Sequence, residues 1–569
     1  MAEPDHLHVL DYEACKVIEK SGRYREALSR VTNLLVSEPL HVEALELAAI
    51  CLHNVQEQAE MESERTGGDA GIDLAVAFNN LGCWFYAGSQ VVLAEQAYRR
   101  ALNLRPDSPD VMTNLGIVLK AQHREPEAES ILLAALEIAP ADARAHNSYG
   151  LVLWKLKRLA QAEKEYREAI RLKPDFRDAY NNLGLLLLEL NRPDEAEVAI
   201  RRALSLDDTT PEAYNNLGNS LRQQGRTSES IAAYRQALAL RPGYVAAKAN
   251  LAHSLLSIGE YKEGWALYES RHDAAMGTHF TEAPRVPWPR WRGEPLAGKS
   301  LLVWPEQGYG DVLQFCRYLP LLKASGADQL GIVCPPVLQR LFGSLEGVDA
   351  VYPMDGKSHI PRHDHWCFVM SLPYFFGTTV ETIPATMPYL RPPEGLATEW
   401  KRRLPSGGFK VGLVWAGNPR LHTPASNAVD QRRSMSSRMF VPILQTPGVT
   451  FVSLQKGETA QRQIHELPRD VRPLDLMDDV QDFADTAAIV ECLDLVITVD
   501  TSIAHLAGAL NKPVWILSRY DSCWRWLCDR DDSPWYPRAR LFRQIEPGNW
   551  DEVVGRVANA LACLPKPTV

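Results

Sequence analysis

The feature that most constrains the fold of this 569-residue chain is a 34-residue period in its first half. Glycines recur at this interval, and Ala252 continues their series: Gly82, Gly116, Gly150, Gly184 and Gly218. Prolines share the interval, with Asp208 in the one missing place: Pro106, Pro140, Pro174 and Pro242. Such a period is typical of stacked helix pairs, because each unit buries its apolar face only against its neighbours. The small residue would let two helices approach closely, and the proline would end the second helix.

The segments between these positions carry the small and aromatic positions of the tetratricopeptide repeat (TPR), as in AYNNLGLLLLELNRPDEAEVAIRRALSLDD. We therefore predict an α-solenoid, a TPR superhelix, over residues 8–272. An earlier match covers residues 8–41, with Ala27 and Pro39 in register, and residues 42–74 are interpreted as a degenerate repeat with a loop. Residues 247–272 lack the closing proline and are expected to cap the array. A stack of this kind has a concave groove that suits a protein partner.

An amide precedes the Leu-Gly pair of most repeats, although Ser148 takes the place once. These residues, which are expected to face the groove, are Asn80, Asn114, Asn182, Asn216 and Asn250. Because an amide both donates and accepts hydrogen bonds, a row of amides can hold an extended peptide backbone without reading its side chains. The row resembles the asparagine ladder in the TPR arm of protein O-GlcNAc transferases. The alternative is that these amides bond to one another within the array.

Composition excludes several classes of function. The formal charge of −10 is spread along the chain, whereas a nucleic-acid binder needs a concentrated basic face. We find no run approaching the ~18 apolar residues of a membrane span, and the acidic N-terminus lacks the layout of a signal peptide. The ten cysteines are scattered and lack zinc-ligand spacing. We therefore expect a cytoplasmic protein with reduced thiols and no bound metal.

After residue 272 the period stops, and strands alternate with helices. Residues 273–299 are rich in Pro, Trp and Arg and are interpreted as a connector. The alternation predicts two α/β domains of the Rossmann type, at 300–395 and 408–545, with a cleft between them. A closing helix at 549–563 is expected to pack back on the first of these domains.

The first candidate site is a glycine turn after the strand SLLVW. In parallel sheets ligands bind at the carboxyl ends of strands, where helix N-termini favour phosphate. Gly308 and Gly310 permit a sharp turn there, and Asp311 opens the next helix. Two interpretations of Asp311 are open. It is a helix cap, or it takes a proton from an acceptor hydroxyl in the cleft.

The second candidate site follows the strand FKVGLVW, where Trp415, Gly417 and Asn418 begin a long polar segment. That segment ends at Arg432 and Arg433. We interpret it either as a flexible loop that closes over an anion or as a solvated surface loop.

The third candidate site is a helix start after the strand LDLVITV. Hydroxyls and free backbone amides at such a position suit a diphosphate. His505, one turn into the helix, either contacts the ligand or packs. Two further residues, at the end of another strand, add a donor and a cation, so that this set contains Asp500, Thr501, Ser502, His505, Gln455 and Lys456.

Two stretches, GDVLQFCRYLPLL and DFADTAAIVECLDLVITVDTSIAHLAGALNKPVW, resemble the inverting heptosyltransferase family of bacterial glycosyltransferases over residues 298–545. The resemblance implies a GT-B fold and metal-independent, inverting transfer. It also implies a base at Asp311 and a nucleotide diphosphate at the D-[ST]-x-x-x-H helix start. The Trp-rich stretch SCWRWLCDRDDSPWYP departs from that family. Together with the repeats, the chain looks like bacterial TPR-glycosyltransferases, among them flagellin glycosyltransferases whose TPR arm recruits the acceptor.

The hypothesis from sequence is a protein O-glycosyltransferase that moves a sugar from a nucleotide-sugar to Ser or Thr of a protein held by the groove. The nucleotide-sugar is a substrate, and no cofactor is expected. Charge on the departing diphosphate would be stabilised by Arg432, Arg433, Lys456 and the helix start at Thr501 and Ser502. Two alternatives stay open: a lipid or saccharide acceptor with the repeats as an assembly scaffold, and a scaffold without activity. The sequence identifies neither the sugar, the nucleotide, the acceptor protein nor the oligomeric state.

Overall fold

The computed structural model describes residues 14–37, 47–48, 50–51, 70–279, 281–419 and 424–565. Pro39 and most of the degenerate repeat predicted at 42–74 lie outside the described residues. The chain divides into two compact units, residues 1–208 and 209–569, which we describe in turn.

Unit 1 is helical, and from residue 70 onward successive helices pack against one another in sequence order. Its helices are α1 (Tyr24–Ser37), α2 (Ala70–Ala87), α3 (Val91–Leu104), α4 (Pro109–Ala121), α5 (Glu125–Ile138), α6 (Ala143–Lys155), α7 (Leu159–Leu172), α8 (Arg177–Glu189) and α9 (Pro193–Leu206).

The recurrent glycines lie where the two helices of a repeat touch. A Cβ atom on Gly116 would be 2.6 Å from Cγ of Leu132, and one on Gly150 would be 2.8 Å from the ring of Tyr166. No real side chain fits at these distances, so the predicted role of the small residue is confirmed. The second helix of each repeat ends two residues before the recurrent proline, as α3 ends before Pro106.

Unit 2 begins inside the repeats and continues into the sheets. Its elements are α10 (Pro211–Gln223), α11 (Thr227–Leu240), α12 (Val245–Ser257), α13 (Tyr261–Tyr268), β1 (Ser300–Trp304), α14 (Tyr309–Phe315), α15 (Leu319–Ala324), β2 (Gln329–Cys334), α16 (Pro336–Phe342), β3 (Ala350–Pro353), β4 (His365–Phe368), α17 (Leu372–Phe375), α18 (Leu396–Lys401), β5 (Phe409–Val414), α19 (Pro424–Arg433), α20 (Val441–Leu444), β6 (Val449–Ser453), α21 (Glu458–Arg462), β7 (Leu474–Asp475), α22 (Phe483–Glu491), β8 (Leu495–Val499), α23 (Ser502–Ala509), β9 (Val514–Ser518), β10 (Ala539–Arg543) and α24 (Trp550–Ala562).

Both sheets are parallel. The first has the strand order β3-β2-β1-β4, and the second has the order β10-β9-β8-β5-β6-β7. Numbered within its own sheet, the second order is the 3-2-1-4-5-6 order of the Rossmann fold. Its central strands β8 and β9 are buried at every residue and are apolar except for Thr498 and Ser518, as expected for strands covered on both faces.

The segment predicted as a connector, residues 273–299, is attached to the first sheet. Arg290 forms a bridge with Trp366 of β4, and the backbone N–H of Trp291 donates to the carbonyl of Trp366 at 2.7 Å. The Trp291 side chain is buried. The tryptophans of this segment therefore extend the core of the first sheet.

Helix α24 packs on the second sheet. Trp550, Val553 and Leu561 lie in one apolar cluster with Val411 and Leu413 of β5. The expectation that this helix packs back on the first α/β domain is wrong. The reason is that its apolar stripe covers a face of the sheet that immediately precedes it in the chain.

The Trp-rich stretch after β9 joins the repeats to the sheets within unit 2. The ring of Trp524 lies 5.2 Å from that of Trp265 in α13, centroid to centroid. Trp535 contacts Phe315 of α14 and donates its indole N–H to the Tyr261 hydroxyl at 3.1 Å. All five side chains are buried in one core. This stretch is thus a packing element.

Candidate active site

The strand order of the second sheet reverses between β5 and β8, which are hydrogen-bonded neighbours with Val414 opposite Thr498. Loops that leave neighbouring strands at such a switch point form a crevice that binds ligands in open α/β sheets. The loop after β5 carries Gly417 and Asn418, and the loop after β8 carries Asp500 and Thr501. Two segments predicted separately to bind the donor therefore leave the sheet at its switch point.

The glycine turn after β1 meets the start of α23. A Cβ atom on Gly310 would lie 2.7 Å from Cδ2 of His505 and 3.5 Å from Cα of Ser502. Only glycine allows the first turns of α14 and α23 to approach so closely. The first and third candidate sites consequently lie side by side.

Asp311 caps α14 and forms an ion pair. One carboxylate oxygen accepts a hydrogen bond from the backbone N–H of Gly308 at 2.7 Å, and the other is bound by the guanidinium of Arg525. Arg525 stacks on Trp524 with 4.2 Å between its guanidinium carbon and the ring centroid. Each carboxylate oxygen has a second lone pair, so these contacts leave acceptor capacity on Asp311.

His505 is a packing residue in this structure. It is buried, its Nδ1 lies 2.9 Å from the Tyr536 hydroxyl, and its ring stacks on Trp526 at 5.2 Å between centroids. Burial, reinforced by the positive charge of Arg525, lowers the pKa of His505 to about 4. The imidazole is therefore neutral at pH 7, and its packing contacts stabilise the first turn of α23.

Trp415 and Gln455, both predicted to bind the donor, shape the turn after β5. Trp415 is buried in the core of the second sheet. The side-chain amide of Gln455 accepts from the N–H groups of Trp415 and Ala416 at 3.1 and 2.9 Å and donates to the Ala416 carbonyl at 3.1 Å. Gly417 is packed as tightly, since a Cβ atom there would lie 2.6 Å from Nη2 of Arg433.

The two arginines predicted at the end of a loop lie at the end of helix α19. The prediction of a loop is wrong for residues 424–433, while residues 420–423 lie outside the described part of the chain. Few apolar residues mark this helix, and side-chain contacts hold its last turn instead. Arg433 pairs with Asp430 at 2.9 Å and donates to the carbonyl of Asp500 at 3.0 Å, and Arg432 pairs with Asp521 at 3.1 Å.

The remaining residues predicted to bind the donor lie near the surface. Asn418 is exposed, and Gly308, Asp500, Thr501 and Ser502 are half-buried. Lys456 is exposed overall, but its ammonium group donates to the carbonyls of Met477 and Val480. The ammonium group is thus bound to backbone carbonyls, which argues against a direct contact between Lys456 and a ligand.

The groove asparagines bond back to the preceding repeat. In unit 1, Asn114 donates to Asn79 at 2.9 Å and Asn182 donates to Asn147 at 3.0 Å. Asn80 is exposed. These bonds match the alternative in which the amides stabilise the array.

The same arrangement recurs in unit 2. Asn250 donates to Asn215 at 2.9 Å, and Asn216 is buried. Asn182 and Asn250 each use one N–H in these bonds, so the other N–H and the carbonyl retain further capacity, whereas the Asn114 carbonyl also accepts from Arg144 at 2.9 Å.

An open pocket of about 640 Å³ lies where the repeats of unit 2 end. Lys248 of α12 lines one side, and Glu269, His272 and Asp273 line the other. Glu269 pairs with Arg271, which in turn pairs with the buried Glu306 just after β1 at 2.8 Å. The pocket is therefore connected by ion pairs to Glu306, which lies between β1 and the helix that carries Asp311.

Sequence reasoning missed the residues that hold the site in place, chiefly Arg525, Asp521 and Tyr536. The available signal was position: residues 519–526 follow β9 directly and combine charges with tryptophans. A strand end in a parallel sheet is where such residues face a crevice.

Comparison with known families assigns the repeats. One tetratricopeptide repeat model matches residues 211–244, and a second matches residues 81–143, 113–175 and 150–214. The 34-residue units are tetratricopeptide repeats. They cover residues 81–244 and indicate protein–protein interaction.

Among curated proteins, the chain is similar to Protein FlbA of Caulobacter vibrioides, at 30% identity over 319 residues. The match covers 52% of this chain and 52% of FlbA, so the chain spans about half the length of that relative.

Solved structures match the chain in part. PilF of Pseudomonas aeruginosa is 19% identical, with a TM-score of 0.32, over 37% of this chain and 93% of PilF. A thermophilic TPR protein of Thermus thermophilus is 24% identical, with a TM-score of 0.30, over 32% of this chain and 99% of its own. Within the described residues, no helix combines the length and apolarity needed to cross a bilayer.

Proposed function

We propose that this protein is a glycosyltransferase of GT-B architecture that transfers a sugar, with inversion, from a nucleotide-sugar to a Ser or Thr hydroxyl of another protein. The observation that carries the proposal is the close approach of Gly310 to His505. It brings the carboxylate at the end of β1 next to the hydroxyls and amides at the end of β8. An acceptor hydroxyl and a donor diphosphate need such neighbouring positions.

On this proposal the donor occupies the switch point of the second sheet. The N-terminus of α23, with Thr501 and Ser502, supplies N–H and O–H donors to the diphosphate. Arg432 and Arg433, at the end of α19, add positive charge. As the bond between the sugar and the diphosphate breaks, its electron pair leaves with the diphosphate, and these fixed groups stabilise the negative charge that develops.

Asp311 acts as the base. The acceptor oxygen attacks the anomeric carbon from the side opposite to the diphosphate, and its proton passes to Asp311. The ion pair with Arg525 holds the carboxylate in one orientation before the reaction. The product is the glycosylated protein with inverted configuration at the sugar.

The repeats hold the acceptor. Their asparagines retain the capacity to bind peptide backbone beside the bonds that they make to one another. The pocket beside Lys248 lies at the end of the repeats and is linked through Arg271 and Glu306 to the strand end below Asp311. The resemblance noted in the sequence makes flagellin the first acceptor to test.

The decisive experiment is Asp311→Asn in a transfer assay read by mass spectrometry of the acceptor protein. We expect transfer to be lost while nucleotide diphosphate binding is kept. Asp532→Asn, at an exposed acid paired with Arg530, serves as the matched control. Retained transfer by Asp311→Asn refutes the base assignment. Sugar found on a glycolipid and absent from protein would favour the lipid or saccharide alternative.

One observation favours the alternative of an inactive scaffold. Both oxygens of Asp311 already have partners, as expected of a carboxylate with a purely structural role. A thermal-shift panel of nucleotide diphosphates and cytidine monophosphate tests it. Stabilisation by a diphosphate supports the enzyme, and no shift with any nucleotide supports the scaffold.

A further inference from the structure

Three arginines from distant parts of the sequence gather at the carboxyl end of the second sheet. Arg432 lies in the last turn of α19, Arg519 follows β9, and Arg222 lies on the repeat helix α10. Of the three, only Arg432 was predicted from the sequence as a site residue. The other two were hidden because nothing in the sequence places a repeat next to a strand end 300 residues later.

One carboxylate serves this cluster. Asp521 pairs with Arg432 at 3.1 Å and with Arg519 at 2.9 Å, and its side chain is 9% exposed. Among the described residues, no other carboxylate lies within 4.0 Å of the guanidiniums of Arg432 and Arg519, and none lies that close to Arg222. The three arginines are thus accompanied by one negative charge, an excess of two positive charges.

The excess positive charge destabilises this part of the fold because some of it is buried. The Nε atoms of Arg222 and Arg432 are buried and have no hydrogen-bond partner among the described residues. Burial lowers the pKa of Arg432, and the charges of Arg519 and Arg222 lower it further against the opposing effect of Asp521. Like charges held together and away from water destabilise a fold unless an anion compensates them.

The repeat is fixed in place against the strand end. The Tyr520 hydroxyl donates to the carbonyl of Gln224 at 3.1 Å. The next residue, Gly225, has φ +74°, and a Cβ atom there would lie 3.2 Å from that hydroxyl oxygen. The turn after α10 therefore holds Arg222 beside Arg519 and Asp521.

We propose that Arg222, Arg432 and Arg519 form a binding site for a phosphoryl group of the donor, so that a TPR helix contributes directly to nucleotide-sugar binding. This inference rests on the proposed function and extends it to a residue of the repeats. Guanidinium groups suit this ligand because their planar N–H forks bind two phosphate oxygens at once. The same groups would stabilise the diphosphate as it leaves.

The test measures binding of inorganic pyrophosphate and of a panel of nucleoside diphosphates to the full chain by calorimetry. We expect Arg222→Gln and Arg519→Gln each to weaken both kinds of ligand roughly tenfold or more, because each removes charged hydrogen bonds from a partly buried site. Asp521→Asn should tighten pyrophosphate binding, since it removes the competing carboxylate. Arg235→Gln, at an exposed arginine paired with Glu263 at 2.7 Å, should leave binding unchanged.

The outcomes separate this inference from the proposed function. Nucleoside diphosphates that bind Arg222→Gln as tightly as the original chain overturn the inference and leave the function standing. A second outcome is that pyrophosphate binding depends on Arg222 as expected, while no nucleoside diphosphate binds more tightly than pyrophosphate. This outcome supports the anion site and contradicts the proposal that the donor is a nucleotide-sugar. If Arg222→Gln fails to fold, Asp521→Asn still tests the site, because this substitution is expected to tighten pyrophosphate binding. Unchanged or weaker binding would overturn the inference.

Discussion

The carboxylate of Asp311 and the guanidinium of Arg525, 214 residues apart in sequence, form an ion pair beneath the start of α14. Both side chains are largely buried, 16% and 10% exposed, and Arg525 is sandwiched against Trp524. The residue proposed as the base therefore depends for its orientation on the Trp-rich stretch after β9.

This pair gives a stability prediction. Asp311→Asn leaves the guanidinium of Arg525 buried without its counterion, and Arg525→Met leaves the carboxylate of Asp311 buried without its counterion. Each substitution should therefore lower the free energy of unfolding by roughly 3 kcal/mol. The double variant should recover part of that loss. Urea unfolding measures all three, and Arg530→Gln, at the exposed pair with Asp532, should cost less than about 1 kcal/mol. Additive losses in the double variant would show that the two residues do not interact.

Gly310→Ala should separate the first turns of α14 and α23. The new methyl group would meet His505 at 2.7 Å, so we expect a loss of about 1 to 3 kcal/mol and slower transfer. The matched control is Gly555→Ala in α24, where no atom lies within 4 Å of the added Cβ atom. That change should be neutral or stabilising because alanine favours helix. Equal effects of the two substitutions would contradict the close approach.

His505 predicts a pH dependence. Its pKa in the folded chain, about 4, lies below the 6.5 of an unperturbed histidine. The folded state thus prefers the neutral ring, and the stability linked to it is fully present above pH 6.5 and lost as the pH falls toward 4.

We therefore expect His505→Gln to reduce the loss of unfolding free energy between pH 7 and pH 4 by roughly 3 kcal/mol. His253 and His272, whose pKa values are also lowered by burial, remain in both proteins, so the difference isolates His505. The exposed His465 provides the control, as His465→Gln. A variant with the same pH profile as the original chain would show that the ring is solvated.

The asparagines offer a matched pair in one hydrogen bond. Asn182→Ala and Asn147→Ala both remove the bond of 3.0 Å between them, so both should cost about 1 kcal/mol. Only Asn182→Ala removes the amide proposed to hold the acceptor. Acceptor affinity should fall for Asn182→Ala and persist for Asn147→Ala, as measured by calorimetry with the acceptor protein. If affinity falls equally for both, the amides act only within the array.

Local regularity explains what the sequence made predictable. The glycine at position 116 predicts a close helix pair because its contact residue, Leu132, lies 16 positions later, the same spacing that separates Gly82 from Tyr98. Strand ends were predictable from the apolar run of β8 followed by Asp500 and Thr501. These features depend on residues close together in the chain, so periodicity and turn chemistry identify them.

Contacts between distant segments were not predictable in the same way. No pattern links Asp311 to Arg525 or Arg222 to Asp521, because the sheet topology creates those encounters after folding. Helix α19 escaped detection for a different reason: side-chain pairs such as Arg433 with Asp430 hold its last turn, and it has no apolar stripe to reveal it. His505 was placed on the right helix, while its burial beneath Trp526 required the structure.

The start of unit 2 at Thr209 has an evolutionary consequence. The last repeat shares a core with the sheets through Trp265 and Tyr261, so a gene fusion joining a foreign repeat array at residue 272 would remove these side chains and expose Trp524 and Trp535. We therefore expect recombination that exchanges repeats to be tolerated upstream of residue 209, where the second unit begins. The last two repeats are then inherited together with the sheets, while the earlier ones are free to diverge with each new partner.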